Sequence, residues 1–278
     1  MSSIATLLKQ GQKKLAGSES PQIDAQVLLC HVLDIDRSYL YKSPEEIISD
    51  QKQKQFFDLI EKRVAGIPVS HLTGHREFWS LDLLVDRNTL VPRPETEHLV
   101  ELANSLITKH SIKTIADLGT GSGAIALSIA AENPDCEILA TDISAEALEI
   151  TTENIIQLQL KNIKLQHGRW CDALGNSRFD LVVSNPPYIA DNHPCLKQGD
   201  VQHEPLLALT SGSDGLDAIR EIIQTIPDHI NTSGWLVLEH GYDQKQAVQQ
   251  LLDRNGFRAI ETLQDYANLD RVTFGQQS

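Results

Sequence analysis

Four consecutive residues, Asn185-Pro186-Pro187-Tyr188, are the part of this 278-residue chain best equipped for chemistry. They follow Asp180–Ser184, an apolar run that reads as a buried strand, so they stand at a strand's carboxyl end. Two consecutive prolines fix φ and remove two backbone donors, which leaves carbonyl acceptors. The Asn185 side-chain oxygen and the Pro186 carbonyl can each accept one N–H of a planar NH₂ group, and Tyr188 can stack on that flat group. Holding both hydrogens fixes the amine plane and leaves electron density on nitrogen. Such a nitrogen is a poor nucleophile, and positioning it can supply on the order of 7–11 kcal/mol of a barrier. Asn185, Pro186 and Tyr188 are therefore the expected catalytic groups. With Pro187 they also form the expected substrate clamp, and no Cys, His or Lys nucleophile is required.

A second constellation says what such a nitrogen would attack. Asp117-Leu118-Gly119-Thr120-Gly121-Ser122-Gly123 lies where a strand hands over to a helix, and Asp142 ends the next strand. Glycines there allow a tight turn and close approach of a ligand. A carboxylate at Asp142 can accept hydrogen bonds from both ribose hydroxyls of an adenosine. The dinucleotide fingerprint G-x-G-x-x-G cradles a pyrophosphate. Here the spacing is G-x-G-x-G, preceded by an acid. S-adenosylmethionine has no phosphate but carries a sulfonium and an ammonium, and Asp117 suits the latter. The two motifs together favour S-adenosylmethionine over NAD, held by Asp117, Gly119, Thr120, Gly121, Ser122, Gly123 and Asp142. Trp170 is placed to flank the adenine, and Asn185 faces the same crevice.

The elements that must position these groups are legible as an alternation. Apolar strands fall at 114–118, 138–141, 163–165, 179–184 and 235–239, with amphipathic helices at about 122–132, 144–158 and 214–230. A helix at 243–255 then precedes a closing strand pair, 257–262 and 271–274. This predicts an α/β fold: a doubly wound, Rossmann-like class I methyltransferase sheet of seven mostly parallel strands. The first 65 residues read as helices, and make a small N-terminal helical domain. Ser20-Pro21 opens one helix. Ser43-Pro44-Glu45-Glu46 has capping-box spacing and predicts another helix start. Ser49-Asp50 opens one that Gly66 ends. Proline- and glycine-punctuated apolar runs beyond predict a β-hairpin. The expected domains are residues 1–72 (helical), 73–98 (hairpin linker) and 99–278 (methyltransferase).

Composition excludes several classes. The net charge is −14. Residues 1–90 hold 11 Lys+Arg against 12 Asp+Glu, whereas residues 91–278 hold 13 against 26. A surface this acidic repels phosphate backbones, which argues against direct nucleic-acid binding. The four cysteines are scattered, without disulfide or zinc spacing, and the ten histidines show no metal motif. No run approaches a membrane span and no leader is evident, so the expected address is the cytoplasm.

The clamp alone leaves adenine, guanine and a glutamine or asparagine amide open. The chain resembles the HemK-type (PrmC) methyltransferases over nearly its whole length. The segments carrying the resemblance are His71–Trp79, Val91–Glu97, Asp117–Leu127, Ser184–Ile189, His203-Glu204-Pro205, Leu238–Gly241 and Arg271–Phe274. That resemblance implies methylation of the glutamine amide in the Gly-Gly-Gln motif of class 1 peptide chain release factors, docked with help from the N-terminal helices. It also implies that Phe78, Arg93 and Glu97 line the substrate pocket. Relatives often carry an acid where this chain has Arg169, which puts a carboxylate contact to the adenine amino group in doubt. The competing readings are a DNA adenine or RNA guanine amino-methyltransferase and a non-catalytic ligand binder. A nucleic-acid enzyme predicts a basic groove and a base-gripping insertion, and the acidic balance of residues 91–278 and the lack of any sizeable insertion oppose it.

Overall fold

A computed structural model describes residues 2–278. The elements in chain order are β1 (Ser2–Ser3), α1 (Ile4–Lys14), α2 (Pro21–Leu33), α3 (Arg37–Lys42), β2 (Ile47–Ile48), α4 (Asp50–Val64), α5 (Val69–Thr73), β3 (His75–Phe78) and β4 (Leu81–Leu84). They continue with α6 (Glu97–His110), β5 (Thr114–Leu118), α7 (Ala124–Glu132), β6 (Glu137–Asp142), α8 (Ala145–Leu158), β7 (Ile163–His167) and β8 (Phe179–Ser184). The chain closes with α9 (Asp217–Thr225), β9 (Ile230–Glu239), α10 (Lys245–Arg254), β10 (Phe257–Gln264) and β11 (Asp270–Gln277).

Two compact units divide the chain: residues 1–75 with 197–203, and residues 76–196 with 204–278. The smaller is a helical bundle. Its helices bury Ile4 and Leu7, Ala25, Leu28 and Val32, and Phe56 and Ile60, spaced three or four apart on each helix so that one face turns inward. Gly11 lets α1 lie against α4, since a Cβ there would stand 2.7 Å from Phe56 Cζ. Within the same unit, Arg63 bridges Asp24 at 2.8 Å and Asp200 at 2.5 Å, which ties residues 197–203 to the bundle.

The expected helix start at 43–46 is not there. Ser43 instead ends α3, and the turn gives its carbonyls away: Ile4 N–H donates to Glu46 O at 3.0 Å and Ala5 N–H to Pro44 O at 2.9 Å. Those carbonyls satisfy donors left open at the start of α1, a use that outcompetes a new helix. Ser49 does cap α4, accepting from Lys52 N–H at 3.5 Å.

The larger unit holds a seven-stranded sheet in the order β7-β6-β5-β8-β9-β11-β10. β5 to β9 run parallel, and β11 lies antiparallel between β9 and β10. Alternation sorts the side chains onto two faces. Ile115, Leu181, Val183 and Val237 face a core closed by α6 and α7. Ala116, Leu118, Val182, Leu236 and Leu238 face a second core closed by α9 and α10. From β5 the chain steps outward to β6 and β7, then returns to β8 on β5's other side. That reversal opens a crevice at the carboxyl ends of β5 and β8.

Three local expectations shift. α6 lies in a stretch without a helix in the sequence reading. The helix expected over 214–230 stops at Thr225, because Pro227 cannot continue the ladder, and β9 begins at Ile230. The β3–β4 hairpin, expected as a linker, lies within the larger unit from Arg76 on: Leu84 N–H donates to Asn154 Oδ1 at 2.7 Å, and Asn154 Nδ2 donates to Leu84 O at 3.0 Å. Among the described residues no helix is long and apolar enough to cross a membrane, and all four cysteines are free.

Candidate active site

The crevice holds a cavity of about 420 Å³, within the size range of small-ligand sites. Its wall includes Gly119, Thr120, Gly121, Ser122, Asp142, Arg169 and Trp170 on one side, and Arg93, Thr96, Asn185 and Pro187 on the other.

The first side is built largely from backbone. Gly119 and Thr120 N–H both donate to Thr141 O, at 2.9 and 2.8 Å, which folds the loop over the end of β6. Gly123 has φ of +87°, and a Cβ there would meet Leu127 Cδ1 at 2.7 Å and Thr151 Cγ2 at 2.8 Å. Only glycine fits that turn into α7. Gly119, with φ of +74°, would place a Cβ 3.0 Å from Trp170 Cζ3, so its bareness lets the indole close on the loop. Two polar residues of α8 hold the loop from behind. Thr151 Oγ1 donates to Gly121 O at 2.7 Å, and Asn154 Nδ2 donates to Ser122 O at 2.9 Å. The sequence reading missed both, although two polar groups three apart on one helix face mark a hydrogen-bonding role when that face is buried.

Asp142 accepts from Gly121 N–H and Ser144 N–H, each at 2.9 Å. Burial raises its pKa, against those N–H groups. Asp117 is fully buried beneath the loop rather than in the cavity wall. Its Oδ2 accepts from Thr120 Oγ1 at 2.6 Å, while Oδ1 has no hydrogen-bond partner. Burial pushes its pKa up to about 7, partly opposed by the Thr120 hydroxyl. Trp170 lines the cavity with its Nε1 buried and unpartnered. Arg169 is drawn onto Glu221, with Nε to Oε1 at 2.8 Å and the second nitrogen to Oε2 at 2.5 Å.

The opposite side is built from side chains. Ser184 Oγ donates to Leu118 O at 2.6 Å, joining the ends of β8 and β5. Asn185 Nδ2 donates to Thr96 Oγ1 at 3.2 Å. Pro186 is buried beside it. Tyr188 lies outside the cavity wall, its hydroxyl donating to Glu239 Oε1 at 3.3 Å, and Gln244 Nε2 donates to Tyr188 O at 3.0 Å. Burial, then the neighbouring Glu239, pushes the Tyr188 hydroxyl pKa far up. Glu239 is itself buried at the end of β9, and burial raises its pKa to about 7, opposed by the Thr96 and Tyr188 hydroxyls.

Arg93 and Glu97 do not pair with each other. Arg93 makes a two-pronged contact with the buried Glu204, at 2.7 and 2.8 Å, an arrangement in which loss of either partner strands a charge. Glu97 Oε1 accepts from Trp79 N–H at 3.0 Å, pinning the hairpin turn. Phe78 is 2% exposed and packs in the core with Leu83 and Leu99. Phe78, Glu97, Gly123 and Pro186 thus stand behind the cavity wall, as Asp117 and Tyr188 do. Among the described residues no cluster of three metal-ligating side chains occurs.

Comparison with known proteins accords with this architecture. Residues 6–74 match the PrmC N-terminal domain and residues 98–200 the methyltransferase small domain. The release factor glutamine methyltransferase of Aliivibrio fischeri is 44% identical over 277 residues, covering 99% of this chain and 97% of the relative. The Escherichia coli K12 protein of that name is 42% identical, covering 97% of each. The chain belongs to the release factor glutamine methyltransferase family. It is a methyltransferase, and the donor of that chemistry is S-adenosylmethionine. Solved structures agree on the fold. A Thermus thermophilus 16S rRNA N2 G1207 methyltransferase, in complex with AdoMet and guanosine, superposes with a TM-score of 0.55 at 17% identity, over 73% of this chain and 50% of that one. The human Mettl16 catalytic domain gives 0.57 at 17% identity, over 78% and 81%.

Proposed function

We propose that this chain methylates the side-chain amide nitrogen of a glutamine, that of the Gly-Gly-Gln motif in class 1 peptide chain release factors. The observation carrying this reading is that one cavity joins Asn185, at the end of β8, to the glycine loop and Asp142, at the ends of β5 and β6. The near-full-length kinship to proteins named for that reaction supports it.

The residues present suit S-adenosylmethionine. The loop offers backbone N–H groups and no Lys for a phosphate, and Asp142 and Asp117 are acids beside or beneath it. When bound, that group supplies an electrophilic methyl on a sulfonium. Asp142 would take the ribose hydroxyls on the lone pairs that Gly121 and Ser144 leave free. Trp170 would flank the adenine, and the 119–122 loop would follow the amino-acid portion, with Asp117 supplying negative field from below. Asn185 Oδ1 on the cavity wall would take one amide hydrogen of the acceptor, and the carbonyl of the otherwise buried Pro186, bonded to the Pro187 ring on that wall, would take the other and fix its plane, with Arg93 bounding the site. The nitrogen gains a carbon and afterwards releases a proton. The helical unit serves as the docking platform for the release factor, and the cytoplasm is the compartment this reading requires.

The deciding experiment offers radiolabelled S-adenosylmethionine with release factor, DNA and ribosomal RNA in parallel. Label is expected on the release factor and should vanish when its Gly-Gly-Gln glutamine is changed. Label confined to DNA or RNA would overturn the reading in favour of a base amino-methyltransferase.

A further inference from the structure

Asn185 is useful as an acceptor only if its amide is turned the right way, because its oxygen and nitrogen are nearly the same shape and have opposite hydrogen-bonding roles. What decides the turn lies behind it. Asn185 Nδ2 rests on Thr96 Oγ1 at 3.2 Å. Thr96 is 3% exposed, and Glu239, behind it and absent from the cavity wall, is 1% exposed. Glu239 Oε1 takes the Tyr188 hydroxyl, whereas Oε2 has no hydrogen bond. The Thr96 hydroxyl already stands near enough to favour the charged carboxyl.

We propose that Glu239 and Thr96 are positioning residues that lock the orientation of the Asn185 amide, so that its oxygen and not its NH₂ meets the substrate nitrogen. The proposal rests on the amide-methylation reading above. In its ionised form Glu239 can only accept, so above its raised pKa the single proton of the Thr96 hydroxyl is directed toward it. Thr96 then has only lone pairs left for Asn185, and Asn185 must answer with Nδ2–H, as it does. Its oxygen is thereby turned the other way, toward the cavity it lines. Tyr188 donates to the same group, so once ionised one buried carboxyl orders two members of the Asn-Pro-Pro-Tyr loop. A donor in place of that anion would reverse the chain. With Gln at 239, an N–H can be given to Thr96, and the Thr96 proton is freed to point at Asn185 Oδ1. The flipped amide then presents N–H groups to the substrate's N–H groups, which repel.

The test compares Glu239→Gln, Thr96→Val and Thr96→Ser with the wild-type chain in steady-state methyl transfer. Cofactor affinity by calorimetry and melting temperature are measured alongside. The expected result is a kcat lowered by about 30- to 300-fold in Glu239→Gln and Thr96→Val, the scale of losing one oriented hydrogen-bonding group at a reacting centre. Cofactor affinity should stay within about 3-fold and the melting temperature should not fall in step with kcat, while Thr96→Ser, which keeps the hydroxyl, holds kcat within about 3-fold. A Thr96→Val enzyme with wild-type kcat would overturn the proposal. So would a Thr96→Ser enzyme as slow as Thr96→Val, which would make the methyl group the relevant feature. Should Glu239→Gln fail to fold, the Thr96 pair decides alone. Failure of the substrate reading is separately visible, as a wild-type chain that leaves the release factor unlabelled. The three variants are then compared on whichever acceptor the wild type labels, and the same outcomes apply.

Discussion

The two sides of the cavity solve the same problem with different materials. On the glycine-loop side, the groups facing the cavity are mostly backbone, set by glycines in left-handed conformations and held from behind by Thr151 and Asn154. On the Asn185 side they are side chains, set by the hydrogen bond to Thr96, with the buried Glu239, which takes the Tyr188 hydroxyl, behind them. Each side nonetheless rests on a buried carboxyl raised to about 7, Asp117 at β5 and Glu239 at β9, with one oxygen unpartnered. A donor with a fixed outline can be held by a rigid backbone mould. An amide nitrogen that must be polarised needs acceptors of defined polarity, which only oriented side chains and a freed carbonyl provide.

That contrast predicts different failures. The largest is expected on the side-chain wall. Asn185→Ala should lower kcat by at least about 1000-fold, since near-attack positioning is lost, while calorimetry should find cofactor affinity within a few fold. A variant retaining near-normal turnover would mean that Asn185 is not the acceptor. Next comes the backbone wall. Gly123→Ala adds one methyl group but must meet Leu127 and Thr151 at under 3.0 Å from a left-handed φ. It should weaken cofactor binding by about 10- to 100-fold and lower the melting temperature together with it, because strain of about 1–3 kcal/mol falls on the loop itself. Asp142→Ala should match the loss in affinity, about 10-fold or more for two charge-assisted bonds, yet leave kcat at saturating cofactor within a few fold. If Asp142→Ala cut kcat and spared affinity, the division of labour between the walls would be wrong.

How much of this was written in the sequence follows the same line. The backbone wall was readable because G-x-G-x-G between a strand and a helix, with Asp142 at the next strand's end, depends on local conformation alone. The seven strands were readable from alternation and apolar runs, and Asn185 from its prolines. What hid were residues whose role depends on distant partners. Thr96 is an ordinary threonine until it lies under Asn185, 89 residues away. Arg93 and Glu97 were expected to line the substrate pocket, but Glu204, 111 residues on, holds the arginine, and Glu97 turns to the hairpin. Helix α6 went unread, and the 43–46 turn looked like a cap until its carbonyls were needed by α1.

The smallest expected effect concerns the buried carboxyl under the backbone wall. Asp117 has its pKa raised from 3.8 to about 7, chiefly by burial. Between those values the unfolded chain has lost the proton that the folded chain keeps, so folding becomes less favourable as pH rises through the window. The penalty is absent below the lower value, grows across the window and is complete above about 7. Asp117→Asn removes the charge and keeps the shape, and its amide oxygen can still accept from Thr120. Its melting temperature should therefore equal that of the wild type near pH 4 and exceed it by on the order of 2–4 °C at pH 8 for each kcal/mol of penalty removed. The same variant should bind the cationic cofactor more weakly at pH 8, because the negative field under the loop is gone. A gain in stability joined to a loss of binding marks a group kept for function against its own folding cost. Equal melting temperatures at both pH values would show that Asp117 is not strained by burial, and the likeness between the two walls would end at geometry.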